Sequence, residues 1–269
     1  MRALRILRDS FPGRPAYDTA LSHALLRRVA AGDLPESLRL YQPDDVVLFS
    51  LLDARRPGFG AAVEAARRAG FAAVLRLAGG HAAVFSRDSL AFAWAIPHAE
   101  PRSGIRARFE AVSGLIARAL CELGVDARVG EVAGEYCPGE YSVNARGRTK
   151  LMGVGQRVVR GGAHVGGVIV TGDSDRVRDV LVPVYRALEL DWRPETTGCI
   201  VDEIGASTPG AVAEALIAEL GRPVVAAALD SELLSLADTL VRRHEPDSLE
   251  GDAVPAPIRA DGKALTLDR

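Results

Sequence analysis

Residues 135–170 read EYCPGEYSVNARGRTKLMGVGQRVVRGGAHVGGVIV, a strand-like stretch that holds one cysteine, one lysine and a run of glycines. Glycine packs poorly in a strand, so its repetition indicates tight turns or close approach of the backbone to a ligand. The repeated glycines are Gly153, Gly155, Gly161, Gly162, Gly166 and Gly167. A plain glycine-rich hairpin pair would explain them equally well. The glycines alone therefore leave a hairpin pair and an active site both open.

Lys150 favours the active site, because it is the only lysine before Lys263 in a chain that otherwise uses arginine for positive charge. A lysine can lose its proton when partly buried, or present a compact charge to a carbonyl or phosphate group. A guanidinium group instead offers a planar fork that does not deprotonate. We therefore interpret residues 135–170 as the active site.

The composition excludes several classes of protein. With 269 residues, 48% of them hydrophobic, the chain is long enough for a full core in one large domain or two small ones. A net charge of -2 gives no basic excess for nucleic acid. The longest apolar runs fall far short of the roughly 20 residues that span a bilayer, and the first residues lack a signal-peptide core. We expect a cytoplasmic protein that contacts neither nucleic acid nor membrane.

The three cysteines, Cys121, Cys137 and Cys199, are widely spaced and form no CxxC pair. This spacing argues against a disulfide framework and against a zinc site, so no metal is expected. An isolated cysteine can still be a nucleophile, although free cysteines are commonly small buried residues.

The order of predicted elements indicates an α+β fold with a mixed, largely antiparallel sheet flanked by helices. Asp18 is expected to cap the first helix, and Pro183 to interrupt the helix that Asp173 caps. A loop is expected over residues 191–205, followed by two helices. The last residues, rich in Asp, Pro, Gly and Ala, show little periodicity and are expected to be extended or disordered.

The order of motifs over roughly residues 3–243 resembles the lipoate-protein ligase A and octanoyltransferase family, which is related in fold to biotin protein ligases. AYDTALSHAL is similar to the family's early acidic helix and places Asp18 at the matching position. LRLY at residues 38–41 resembles its next strand. VLRLAGGHAAVFS resembles its ligand loop RRxxGGxAVxHD, and GRTKLMGVGQ with AHVGGVIV resembles GxKxxGxAQ followed by HxGxxL.

The resemblance implies a biotin/lipoate ligase-like catalytic domain over residues 1–243 and a tail over residues 244–269. It implies Cys137 and Lys150 as catalytic residues, with a protonated lysine favouring the thiolate. Cys199 is the alternative nucleophile, since one octanoyltransferase branch uses a later cysteine. The substrate-binding residues that it implies are Arg76, Gly79, Gly80, Gly153, Gln156 and His164.

The implied reaction moves an octanoyl or lipoyl group from an acyl carrier protein thioester through Cys137 to a lysine. The acceptor would be a lipoyl domain or a glycine-cleavage H-type protein. Thioester exchange is nearly balanced in energy, so no cofactor is expected. Two alternatives stay open: an ATP-dependent ligase that forms lipoyl-adenylate, and a non-catalytic member that binds acyl carriers or lipoyl domains.

The sequence also departs from the family pattern. Leu75 stands where the first loop arginine is expected, and Phe85 and Ser86 stand where the family often has His-Asp. These losses weaken the ligase alternative, because an adenylating site must neutralise phosphate charge. The chain length of the acyl group, the acceptor protein and the oligomeric state do not follow from the sequence.

Overall fold

The computed structural model describes residues 3–250. Its strands are β1 Leu4–Leu7, β2 Ser37–Tyr41, β3 Val46–Phe49, β4 Ala72–Leu75, β5 Ala83–Phe85, β6 Ser89–Pro97, β7 Ala127–Val129, β8 Val143–Ala145, β9 Thr149–Val159, β10 Gly162–Val170 and β11 Val224–Ala226. Its α-helices are α1 Pro15–Ala31, α2 Phe59–Arg68, α3 Ile105–Glu122, α4 Ser174–Ala187, α5 Ile200–Ile204, α6 Pro209–Glu219 and α7 Ser231–Leu240. Short 3-10 helices cover Asp53–Arg55, Pro194–Thr196, Val241–His244 and Pro246–Glu250.

The strands form two sheets. The larger has the order β11-β1-β2-β6-β10-β9-β8-β7, and the smaller has the order β4-β3-β5. Strand β1 runs parallel to β11 and β2, and β3 runs parallel to β4. All other strand pairs between named strands are antiparallel. The predicted α+β fold with mixed, largely antiparallel sheets is therefore confirmed.

Strands β9 and β10 form a long hairpin at the middle of the larger sheet, with Gly166 opposite Gly155 and Val165 opposite Gln156. Glycine is required here by close approach of the backbone. A Cβ atom at Gly167 would lie 1.9 Å from the carbonyl oxygen of Gly153. The glycine-rich stretch thus does form the hairpin that composition alone suggested.

Helices cover both faces of the larger sheet. Helices α3 and α6 pack on one face through Val112, Ile116, Leu120, Val212 and Leu216. Helices α1 and α7 form a second core on the other face, next to β6. Helices α2 and α4 pack against each other beside the smaller sheet. Within residues 3–250, no helix has the length and apolar composition to cross a bilayer.

Three local predictions were wrong. Helix α1 begins at Pro15, so Asp18 lies in its first turn and does not cap it. Helix α4 continues through Pro183, because its apolar face, which includes Leu181 and Val184, is fully buried and holds the helix in place. The expected loop after residue 190 contains the short helix α5.

The expected tail overlaps the described residues only at 244–250. There His244 is buried and ends a 3-10 helix, and Pro246–Glu250 form another. Residues 251–269 lie outside the described part of the chain, so the division at residue 243 stays a prediction.

Asp18 has a structural role that the sequence did not predict. Its carboxylate contacts the guanidinium of Arg39, and both side chains are buried. Arg39 also donates to the carbonyl of Asp9 at 2.7 Å and to that of Asp18 at 2.9 Å. Its guanidinium lies 3.7 Å from the ring centre of Tyr41. This cluster ties α1 to strand β2.

We predict that Arg39→Met destabilises the fold by about 3–5 kcal/mol, because it leaves the Asp18 carboxylate buried without its partner. Denaturant unfolding measures the change. Arg106→Met is the matched control, since Arg106 pairs with Glu110 on the exposed surface of α3. That variant should unfold almost as the wild type does. Equal losses in both variants would contradict a structural role for the buried pair.

Candidate active site

A cavity of about 470 Å³ lies beside the β9–β10 hairpin, within the usual size range of ligand pockets. The hairpin, the loop after β4, the segment 136–142 and the start of α3 line it. Its walls include every residue that was predicted as catalytic or substrate-binding except the alternative nucleophile: Arg76, Gly79, Gly80, Cys137, Lys150, Gly153, Gln156 and His164. The fold therefore brings together residues spread over about 90 positions of the chain.

The backbone of Cys137 is held in an unusual conformation. Its φ is +43°, a left-handed value that side-chain-bearing residues seldom adopt. Two contacts fix this geometry. The Cys137 N–H donates to the Tyr185 hydroxyl at 2.7 Å, and its carbonyl accepts from Lys150 Nζ at 2.7 Å. Strain of this kind persists only where the surroundings impose it, and it is common at active sites.

The sulfur of Cys137 faces a concentration of positive charge. Arg76 Nη2 lies 3.4 Å from Sγ, and the N–H of His81 lies 3.3 Å from it. Burial by itself would raise the pKa of this thiol. The charges of Arg76 and Lys150 and the two hydrogen bonds outweigh burial, so the pKa falls below its ordinary value. The surroundings of Sγ therefore favour the thiolate form more than those of an ordinary cysteine do.

Gly80 makes this arrangement possible. Its φ is +96°, and a Cβ atom there would lie 2.2 Å from Arg76 Nη2 and 2.9 Å from Cys137 Sγ. The neighbouring Gly79 has open space around the corresponding position. Of the pair, Gly80 is the glycine that close contact with Arg76 and the Cys137 sulfur requires.

Lys150 is buried and makes three hydrogen bonds. Nζ donates to Glu135 Oε1 at 2.8 Å, to the carbonyl of Tyr136 at 3.0 Å and to that of Cys137 at 2.7 Å. An ammonium group has three N–H donors, so these acceptors use all of them. Lys150 therefore acts through its charge and by holding the Cys137 segment.

Sequence reasoning missed Glu135, Tyr185 and His81. Glu135 stands two residues before the cysteine and is buried, and its carboxylate accepts from Lys150 and from Ser142 Oγ at 2.6 Å. The position of Glu135 near Cys137 in the sequence EYCPGE was the one signal that could have identified it. Tyr185 was hidden in an apolar helix face. His81 follows the glycine pair, in a position that looked like part of a turn.

His164 lies on β10 and lines the cavity, as predicted. Burial and, to a smaller extent, the charge of His23 lower its pKa to about 4, so the ring is neutral near pH 7. Its Nδ1 is buried without a hydrogen-bond partner. A neutral ring with a free polar atom can orient a carbonyl or amide group of a ligand.

Gln156 also lines the cavity but has internal partners. Its Oε1 accepts from Arg108 Nε at 3.0 Å, and its Nε2 donates to the carbonyl of Ile105 at 2.8 Å. These bonds attach the start of α3 to strand β9. Gln156 therefore shapes the cavity by positioning the helix that closes it.

The rest of the cavity is largely apolar. Leu48, Phe85, Phe92 and Val168 contribute to its walls. Phe85 stands where the family pattern often has histidine, so this departure enlarges the apolar surface. The rings of Phe109 and Tyr141, which also line the cavity, stack with centres 5.0 Å apart. Such walls suit an alkyl chain.

Cys199 is not among the residues that line the cavity. It is buried at the start of α5, and burial raises the pKa of its thiol. The geometry thus gives a reactive environment to Cys137 and not to the alternative nucleophile.

Comparison with known proteins shows which family the chain belongs to. The profile described as the lipoyl protein ligase A/B catalytic domain matches residues 14–189. The chain belongs to this family. The resemblance seen in the sequence motifs is thereby confirmed.

The relatives found include two proteins that carry the name octanoyl-[GcvH]:protein N-octanoyltransferase. The protein from Geobacillus kaustophilus is 28% identical over 240 residues, which cover 88% of this chain and 81% of that protein. The protein from Exiguobacterium sibiricum is 30% identical over 182 residues, which cover 67% of this chain and 64% of that protein.

Solved structures agree on the fold. A lipoate-protein ligase A bound with ATP superimposes with a TM-score of 0.72 at 20% identity, covering 89% of this chain and 94% of that one. A bipartite lipoate protein ligase from Thermoplasma acidophilum, studied with its E2 lipoyl domain, gives a TM-score of 0.69 at 19% identity, covering 90% and 92%. The predicted lipoate ligase-like catalytic fold is confirmed.

We predict that Gly80→Ala slows alkylation of Cys137 by iodoacetamide at neutral pH. The added methyl group must displace Arg76 or the sulfur, and a rise of about one unit in the thiol pKa would slow the reaction about tenfold. Peptide mass spectrometry follows the modified cysteine.

Gly79→Ala is the matched control, since its added methyl group meets no neighbour. It should leave the alkylation rate close to that of the wild type. If Cys137 in Gly80→Ala were alkylated as fast as in the wild type, the close approach of Gly80 to the Cys137 sulfur would have no chemical consequence.

Proposed function

We propose that this chain transfers octanoyl groups through a thioester on Cys137 to a lysine of a lipoyl-domain protein. The activated sulfur of Cys137 in an apolar cavity is the observation that carries the proposal. The chain is an octanoyl or lipoyl transferase, in agreement with the names of its relatives. The covalent route and the identity of the donor are the parts that the proposal adds.

The chemistry proceeds in two steps. The Cys137 thiolate attacks the acyl carbonyl of the donor, and collapse of the tetrahedral intermediate forms the octanoyl thioester and releases the donor group. The neutral amine of the acceptor lysine then attacks the thioester. Loss of one amine proton gives the amide, and the Cys137 thiolate leaves unchanged.

We infer that the donor is octanoyl-GcvH, because the relatives at 28–30% identity are named for that substrate. In such a donor the octanoyl group is joined to a lysine nitrogen through an amide bond. The product on the acceptor lysine would contain the same kind of bond. The acyl carrier protein thioester predicted from the sequence is the second donor to test. A nucleophilic thiolate attacks either carbonyl.

The contacts of Lys150 and Arg76 support a reaction without ATP. Lys150 uses all three N–H groups on acceptors inside the protein, and Arg76 is directed at Cys137 Sγ. Leu75 removes a further cation from the loop. Few positive groups then remain for a triphosphate, which a ligase would need to neutralise. We therefore propose that no cofactor takes part.

We predict that the wild type acquires one octanoyl group when incubated with octanoyl-GcvH and no ATP. Intact-protein mass spectrometry detects the adduct, and a second incubation with apo lipoyl domain should remove it. Cys137→Ala should form no adduct, because the nucleophile is absent.

Cys199→Ala is the control, since Cys199 is buried outside the cavity lining. It should acquire the adduct at close to the wild-type rate. Loss of the adduct in Cys199→Ala but not in Cys137→Ala would identify Cys199 as the nucleophile. A parallel incubation with octanoyl acyl carrier protein tests the second donor. Activity that required ATP and free lipoate would contradict the proposed transfer reaction.

A further inference from the structure

His81 has a second contact that the reaction above does not use. Its Nδ1 lies 2.9 Å from Asp53 Oδ1, while its backbone N–H contacts the sulfur of Cys137. Asp53 is fully buried, and its other oxygen accepts from the Ser50 N–H at 2.9 Å and from Ser50 Oγ at 3.0 Å. The His81 side chain is 29% exposed. A rigid buried carboxylate therefore orients a solvent-accessible imidazole on the residue that touches the nucleophile.

The proposed donor creates a need for such a group. When a thiolate attacks an octanoyl-lysine amide, the leaving nitrogen must gain a proton before the C–N bond breaks, because an amide anion is too basic to leave. The Cys137 thiolate carries no proton to give. The three protons of Lys150 are bonded to Glu135 and to two backbone carbonyls. Another acid must serve the leaving lysine.

We propose that the imidazole of His81, oriented by Asp53, is the acid–base group of the transfer. In the first step it gives a proton to the leaving lysine nitrogen of the donor. In the second it takes a proton from the acceptor lysine as that amine attacks the thioester. The proton count balances over the cycle, and exposure lets the ring exchange protons with water. This inference rests on the proposed function.

The contact geometry sets the tautomer. Nδ1–H donates to the Asp53 carboxylate, so Nε2 is left for proton transfer, as in other carboxylate–histidine pairs. The other charged or titratable groups around this loop include Arg76, Cys137, Lys150 and Tyr185, together with buried Tyr136 and His244. Arg76 and Lys150 stabilise the thiolate, and Tyr185 donates to the Ala82 carbonyl at 2.9 Å. Asp53 is thus a positioning residue, and His81 is the group that it orients.

The test compares two donors in His81→Gln. With octanoyl-GcvH, formation of the Cys137 thioester should slow about 100-fold or more, the usual contribution of general acid catalysis. With a small octanoyl thioester such as octanoyl-N-acetylcysteamine, the rate should change little, since a thiolate leaves without a proton. Stopped reactions and intact-protein mass measure both rates.

Three further measurements separate proton transfer from a structural effect. The alkylation rate of Cys137 should stay unchanged in His81→Gln, because the residue keeps its backbone N–H. Added imidazole should restore part of the amide-donor rate in His81→Ala. His98→Gln, on the loop before α3, is the matched control and should behave as the wild type with both donors.

Equal slowing with both donors, or no slowing with octanoyl-GcvH, would overturn the assignment of His81 while leaving the thioester route intact. If the wild type gained no octanoyl group from either donor, the proposed function itself would fail, and the role of His81 with it.

Discussion

The buried ion pair between Lys150 and Glu135 is the interaction on which the site depends. Removing two charges from water costs several kcal/mol for each ion, and the cost is offset only when every hydrogen-bonding position is filled. Here both members meet that condition. Glu135 accepts from the Val132 N–H, the Gly139 N–H, Ser142 Oγ and Lys150 Nζ, and Lys150 also donates to two carbonyls. The network forms only when strand β9 and the segment 132–142 are docked together.

This docking explains how a cysteine whose thiol pKa is lowered is kept in a largely apolar cavity. Lys150 holds the carbonyl of Cys137, and Tyr185 holds its N–H, so the residue is fixed in the left-handed region. The sulfur then meets Arg76 and the His81 N–H, which lower its pKa against the opposing effect of burial. The same cluster leaves Lys150 no free donor. Lys150 therefore has no proton to give to a leaving group, and we propose His81 for that task.

Much of this was predictable from sequence where one short pattern contained the signal. The solitary Lys150, the glycine pair before His81 and the glycine-rich stretch predicted residues that line the cavity. Contacts between distant segments could not be read in this way. Tyr185 follows Cys137 by 48 residues on an apolar helix face, and Asp53 precedes His81 by 28. Asp18 was predicted to be a helix cap because the sequence near it shows no partner. Its actual partner, Arg39, lies 21 residues later on strand β2.

The pH dependence of Cys137 alkylation tests the central claim most directly. Peptide mass spectrometry would follow the rate in the wild type, in Lys150→Met and in the control Arg148→Met, which changes an exposed arginine on the β8–β9 turn. Because the pKa is lowered, the wild-type rate should level off below the ordinary thiol pKa of about 8.5 and decline only at lower pH. Lys150→Met should move the midpoint upward, and Arg148→Met should not. A wild-type midpoint at or above the ordinary value, or an unmoved midpoint in Lys150→Met, would contradict the account.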